Sequence, residues 1–104
     1  MAGDAFLKEI RTRLEAEFSG RLRDVVLYGS FARGEATRES DLDLIVVLQS
    51  PVWLGRDLDR IVKCLYPIQL ELDRAIHALP VSEEAFAAAQ YGLYRNAKRE
   101  GLRL

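Results

Sequence analysis

The chain has 104 residues, 49% hydrophobic and 30% charged, with a formal net charge of −1. That length fits one domain spanning residues 1–104 with its own core, and the near-zero charge gives no steering toward nucleic acid or an anionic membrane. A single cysteine excludes an internal disulfide, Met1 to Lys8 lacks a secretory core, and no apolar run approaches the ~20 residues that span a bilayer, so a cytoplasmic protein is expected.

Residues from Asp4 to Phe18 predict an amphipathic helix. Phe6, Ile10, Leu14 and Phe18 fall four apart on one stripe, Asp4 is placed as N-cap, and Ser19-Gly20 ends it. Arg23 to Tyr28 is a strand, apolar on both faces over Val25 to Tyr28 and therefore expected in the middle of a covered sheet. It stops at Gly29-Ser30, and the polar stretch from Phe31 to Ser40 is a loop whose start has room for one helical turn. Asp41 to Leu48 is the second strand. Trp53 to Leu65 returns to helical spacing, with Leu54, Leu58, Ile61, Val62 and Leu65 assigned to one face and Cys64 packed among them; Tyr66-Pro67 is taken as its end. Ile68, Leu70 and Leu72 alternate with Gln69, Glu71 and Asp73, which predicts a third strand over 68–76. Ser82 with Glu84 opens a capped helix over 82–90, and a last helix includes Tyr94 to Arg99. The sum is an α/β (α+β) fold, a small mixed sheet with helices packed on it.

Chemistry concentrates in Leu27-Tyr28-Gly29-Ser30-Phe31-Ala32-Arg33-Gly34 and Ser40-Asp41-Leu42-Asp43-Leu44. Asp41 and Asp43 are two apart in a strand, so they project from one face within ~7 Å of each other. Two carboxylates so placed repel unless a cation lies between them, and Mg²⁺ is commonly held by one or two carboxylates plus substrate phosphates. A glycine at a strand end allows close backbone approach to a ligand, and its neighbouring N–H groups with the Ser30 hydroxyl suit phosphate oxygens. A Gly-Ser turn alone is common, and two surface acids alone are an ordinary strand start; the information is in their combination.

The stretch YGSFARGEATRESDLDLIVVL resembles the nucleotidyltransferase superfamily related to DNA polymerase beta, whose signature is Gly-Ser, about ten residues, then Asp-x-Asp. It looks most like the minimal nucleotidyltransferases, proteins that are little more than this domain, with the specific likeness over residues 25–48. The resemblance implies the nucleotidyltransferase fold. It implies that Gly29 and Ser30 bind the β- and γ-phosphates of an NTP, ATP above all, and that Asp41 and Asp43 hold Mg²⁺ for an in-line displacement. It also implies a third carboxylate on a later strand. Asp73 is favoured over Glu71 for that place, although Asp73 is followed by Arg74 where the family has apolar residues. Arg33 is assigned either to the triphosphate or to an ion pair with Glu35 or Glu39. His77 has no ligand partner in sequence and receives no role. Trp53, Tyr66 and Phe86 are read as core or interface residues.

By the same resemblance, the expected activity is transfer of a nucleoside monophosphate, AMP in particular, to an acceptor hydroxyl. Many members of the group are antitoxins that place AMP on a tyrosine of a HEPN-type toxin, so a protein partner or a homo-oligomer is expected, with nucleic acid disfavoured. A different class of function is a binding module that neutralises its partner by contact alone; metal-dependent ATP binding separates the two.

Overall fold

The computed structural model describes residues 2–37, 40–89 and 91–104, with side chains from Ala5 onward. Helix α1 runs Ala2–Phe18, so Asp4 falls inside the helix rather than capping it. Its stripe is buried as expected, with Ile10, Leu14 and Phe18 at most 3% exposed. A 3-10 turn, Ser19–Arg21, leads into strand β1, Leu22–Tyr28, followed by β2, Leu42–Leu48. Helix α2 spans Leu54–Leu72, β3 is Ile76–Ser82, and α3 (Glu83–Ala87), α4 (Gly92–Glu100) and β4 (Leu102–Arg103) complete the chain.

The four strands stand in the order β3-β2-β1-β4, with β2 and β3 parallel and the other pairs antiparallel. This is the mixed sheet anticipated. Side chains alternate between its faces. Val25 and Leu27 of β1 join Leu42, Leu44, Val46 and Leu48 of β2 in one core against α1 and α2. Val26, Ile45 and Val47 point the other way and meet Val81 of β3, Phe86 of α3 and Ala97 of α4. The central strands are therefore covered on both sides, which their unbroken apolar runs require. The Ser82 hydroxyl caps α3 as expected, accepting from the Ala85 N–H at 3.1 Å.

The strand expected over 68–76 is instead the second half of α2. Ile61, Leu65 and Ile68 are buried against the sheet and Leu72 packs at their edge, a spacing of three to four that continues the helix through Pro67. Pro67 removes one helical hydrogen bond, and the burial of Ile68 and Leu72 outweighs it. The alternation at 68, 70 and 72 was a coincidence of that stripe with Leu70, which is 62% exposed. The five residues expected on one face of α2 divide likewise: Ile61 and Leu65 face the core, whereas Leu54 and Val62 are more than half exposed.

A charged pair anchors α2. Asp57 is fully buried and takes a two-pronged bond from Arg21, with both N···O distances 3.1 Å, and a third bond from the Trp53 N–H at 3.0 Å. The Arg21 guanidinium holds the Asp57 carboxyl below the usual carboxylate range, against the opposing effect of burial. Cys64 is partly buried, its thiol donating to Arg13 O at 3.3 Å, and burial pushes that thiol's pKa up. Among the described residues, no helix is long and apolar enough to cross a membrane.

Candidate active site

The site is built at the end of β1 and the beginning of β2. Because these strands are antiparallel, the residue that ends one lies beside the residue that begins the other: Tyr28 is registered with Asp43. The chain leaves β1 through Gly29, whose φ of +78° lies in the left-handed region that glycine tolerates. One tight turn follows, closed by the N–H groups of Arg33, Gly34 and Glu35 donating to Gly29 O, Phe31 O and Ser30 O. The N–H groups at its start, those of Ser30, Phe31 and Ala32, take no part in closing it. Gly29 also leaves room for an acid: a Cβ there would come within 2.7 Å of Asp43 Oδ2 and the carboxylate would have to shift. The Gly-Ser turn and the second acid thus lie side by side at one end of the sheet.

Asp43 lies on the same sheet face as Ile45 and Val47, partly covered by that packing. Burial raises its carboxyl above the usual range, His77 opposes the rise, and Asp41 adds to it. Asp41 stands immediately before β2 and is about half exposed. The loop delivering it is pinned by Arg74, which donates to Ser40 O at 2.8 Å and stacks over the Phe31 ring at 4.9 Å. One guanidinium therefore ties the segment after α2 to both the turn and the loop.

The neighbour of Asp43 on its other side is His77. The parallel register of β2 with β3 places Asp43 beside His77, on one face, and His77 Nε2 lies 2.9 Å from Asp41 Oδ2. The two favoured candidates for a third acid are elsewhere. Glu71 sits in the last turn of α2, and Asp73 ends that helix in a left-handed conformation, φ +51°; both are exposed. The expectation for either rested on a strand over 68–76, and the strand begins at Ile76 instead. Arg33 pairs with Glu35, Nε–Oε2 3.2 Å, and remains about half exposed; its alternative partner Glu39 lies outside the described residues.

Two clefts meet at Tyr28. One, of 230 Å³, is lined by Tyr28, Gly29, Arg33, Asn96 and Glu100 among others. The second, of 410 Å³ and mostly apolar, is lined by Tyr28, Leu58, Val62, Ile76 and His77 among others. Burial, with Asp43 adding, raises the Tyr28 hydroxyl pKa above its ordinary value, so the phenol stays neutral.

Among the described residues, no three His, Cys, Asp or Glu side chains converge as a ready-made metal cage. A cation shared with phosphate needs fewer protein ligands than that, since Mg²⁺ keeps waters and substrate oxygens in its shell. Asp41 and Asp43, with hard oxygen donors on one face beside a turn whose first N–H groups take no part in closing it among the described residues, fit such a cation.

The model of the nucleotidyltransferase domain family matches residues 7–91. The chain belongs to that family. The nucleotidyltransferase is 31% identical over 96 residues to a candidate protein adenylyltransferase of Methanocaldococcus jannaschii, an alignment covering 91% of this chain and 90% of that one. Its fold is similar to a crystal structure of a toxin–antitoxin with AMP-PNP, with a TM-score of 0.64 and 17% identity over 91% of this chain and 69% of that one. The recognition from residues 25–48 therefore agrees with a match that extends over most of the chain.

The sequence did not reveal His77, Tyr28 or Arg74. Only the register of β1, β2 and β3 assigns the first two, and only the end of α2 assigns the third. A weak signal for His77 was present: it is the lone histidine, and it opens an apolar run.

Proposed function

We propose that this nucleotidyltransferase moves AMP from ATP onto a hydroxyl of a partner protein, a tyrosine of a HEPN-type toxin, and acts as the antitoxin. The observation that carries the reading is the closeness of Gly29 to Asp43, where an added Cβ would stand 2.7 Å from Asp43 Oδ2, because it sets the Gly-Ser turn beside a pair of acids at one end of the sheet. In this reading the Ser30 hydroxyl and the N–H groups of Ser30, Phe31 and Ala32 hold phosphate oxygens. Asp41 and Asp43 hold the divalent cation that accompanies ATP, Mg²⁺ in the simplest case, which supplies charge neutralisation at the triphosphate. The acceptor oxygen bonds to the α-phosphorus as the α–β phosphoanhydride breaks, pyrophosphate leaves, and the acceptor proton passes to solvent. Arg33 flanks the cleft on the Gly29 side, where it can turn from Glu35 to the leaving phosphates.

A protein acceptor is favoured by the surface beside the site. Leu54, Leu58, Val62, Tyr66 and Leu70 follow one another at intervals of four along α2, and all but Leu58 are more than half exposed. Leu58 and Val62 also line the cleft that reaches Tyr28 and His77. An apolar stripe continuous with a catalytic cleft suits a docked protein better than a polyanion. The relative from Methanocaldococcus jannaschii, a candidate protein adenylyltransferase, and the toxin–antitoxin neighbour point the same way.

The test is incubation with ATP labelled at the α-phosphate, a divalent cation and host lysate. Label should enter one small helical protein at tyrosine. The Asp41→Ala, Asp43→Ala double variant should remain folded and transfer nothing. A double variant as active as the parent would reject the mechanism, and label confined to RNA or small molecules would reject the acceptor.

A further inference from the structure

We propose that the exposed apolar ridge of α2 is covered, in the free protein, by the same ridge of a second copy of this chain. The ridge is Leu54, Leu58, Val62, Tyr66 and Leu70, side chains four residues apart and so neighbours along the helix surface. Leu54, Val62, Tyr66 and Leu70 are between 52% and 62% exposed, while Ile61, Leu65 and Ile68 of the same helix are buried in the core.

The area matches what a stable dimer needs. A standard interface covers about 800 Å² per partner, of which about 57%, or about 450 Å², is apolar. The four more-than-half-exposed side chains offer on the order of 450 Å² along α2.

Shape, charge and the neighbouring strand select a second copy as the occupant. Ridges of i, i+4 side chains from two helices interdigitate in the commonest class of helix crossing, so this ridge fits its own image. About a two-fold axis at Val62, a small side chain stands where the helices come closest, and Leu58 of one copy meets Tyr66 of the other. Such a contact uses the same patch on both copies and closes on itself. The charges beside the crossing, Asp59 and Lys63, pair with each other at 2.9 Å within the helix, so two copies approach without net repulsion. The outer strand next to the ridge, β3, is blunted against an added strand: the Gln69 side chain accepts from the Ile76 N–H at 3.2 Å, and Pro80 has no N–H. This face therefore takes a helix, and α2 of a second copy supplies one of matching pattern.

Leu58 and Val62 also line the cleft that reaches Tyr28 and His77. An acceptor entering there must displace the second copy. That consequence rests on the transfer reading; the dimer itself does not.

The experiment is sedimentation of the full chain over a concentration series, with circular dichroism melts to verify folding. The parent should pass from one chain mass to two as concentration rises. Val62→Glu sets two like charges at the axis and should weaken self-association by at least about tenfold. Leu102→Glu, at a residue 50% exposed but outside the ridge, should dimerise like the parent. In a Cys64→Ser background, Val62→Cys should form a disulfide between copies under mild oxidation, and Leu102→Cys should not. A parent that stays monomeric overturns the proposal. So does a dimer that Val62→Glu leaves intact, that Leu102→Glu weakens equally, or in which Val62→Cys forms no disulfide. Calorimetry with α,β-methylene ATP and a divalent cation on the parent separates the two readings. A monomer that binds the nucleotide overturns the dimer alone, and a dimer that binds none overturns the transfer reading alone.

Discussion

Replacing Gly29 by alanine separates two effects that the structure superimposes at one residue. The first is backbone strain. A φ of +78° costs a residue with a Cβ about 1–2 kcal/mol. For a domain of this size, that lowers Tm by about 5–15 °C. The second is the collision with Asp43. The new Cβ would stand 2.7 Å from Oδ2, whereas ordinary contact begins at 3.4 Å, so the carboxylate must withdraw by about 0.7 Å. Asp43 is the end of a rotatable side chain, so this movement costs little stability. In the proposed function it displaces a cation-holding acid, and a misplacement near 1 Å costs about 100-fold in rate. Gly34 is the internal control. Its φ of +72° imposes the same strain, and a Cβ there meets no described atom within 4 Å. Thermal melts and α-labelled ATP transfer should therefore give two variants of similar Tm, with Gly29→Ala about 100-fold down in kcat/KM and Gly34→Ala within about threefold of the parent. Equal transfer by the two variants, or full transfer by Gly29→Ala, would refute the claim that the turn and Asp43 form one site.

Other consequences can be checked by similar means. Burial raises the Asp43 carboxyl pKa, so its ionisation opposes folding once the pH exceeds the ordinary carboxylate range. Asp43→Asn should raise Tm by a few degrees at pH 7, with the gain shrinking as pH falls through that range, while abolishing transfer. For Asp57 the sign is reversed: its lowered pKa contributes stability above the unfolded value near 4, and that contribution is lost as pH falls through the folded value. Arg21→Ala leaves a buried carboxylate unpaired and should cost about 3 kcal/mol at pH 7 by denaturant unfolding, with the gap to the parent closing in acid. Arg74→Ala releases both Ser40 and Phe31. It should lower transfer by about tenfold with a Tm loss under about 5 °C, and Arg74→Lys, which cannot stack and bond in one plane, should recover only part of it.

What was legible in the sequence was local. The stripe of α1 repeats every four residues, Val25 to Tyr28 and Leu44 to Leu48 are apolar runs too short for helices, and the Gly-Ser and Asp-x-Asp motifs are contiguous with strand ends. These signals need no knowledge of what packs where. The second half of α2 needed it. Ile68 and Leu72 continue the helical stripe from Ile61 and, with exposed Leu70 between them, also satisfy a period of two, and Pro67 looks like a terminator until the burial of Ile68 is known. Misplacing that boundary moved β3 by eight residues and sent the search for a third site residue to Asp73 and Glu71. The parallel pairing that selects His77 joins residues 34 positions apart, Asp43 and His77, and no pattern in the chain announces it. The Arg21–Asp57 pair is equally nonlocal, 36 residues apart. A buried aspartate on a helix otherwise rich in charge cannot be told from its exposed neighbours by spacing.

The account turns on whether the Gly29-Ser30 turn and the acids at 41 and 43 act on one nucleotide–cation complex. Calorimetric titration of α,β-methylene ATP into the chain measures this directly, with divalent cation present and then removed by chelation. Binding should require the cation and should vanish in the Asp41→Asn, Asp43→Asn double variant while its melting curve shows a folded protein. Nucleotide affinity that is independent of the cation, or that survives in the folded double variant, would contradict the site as described.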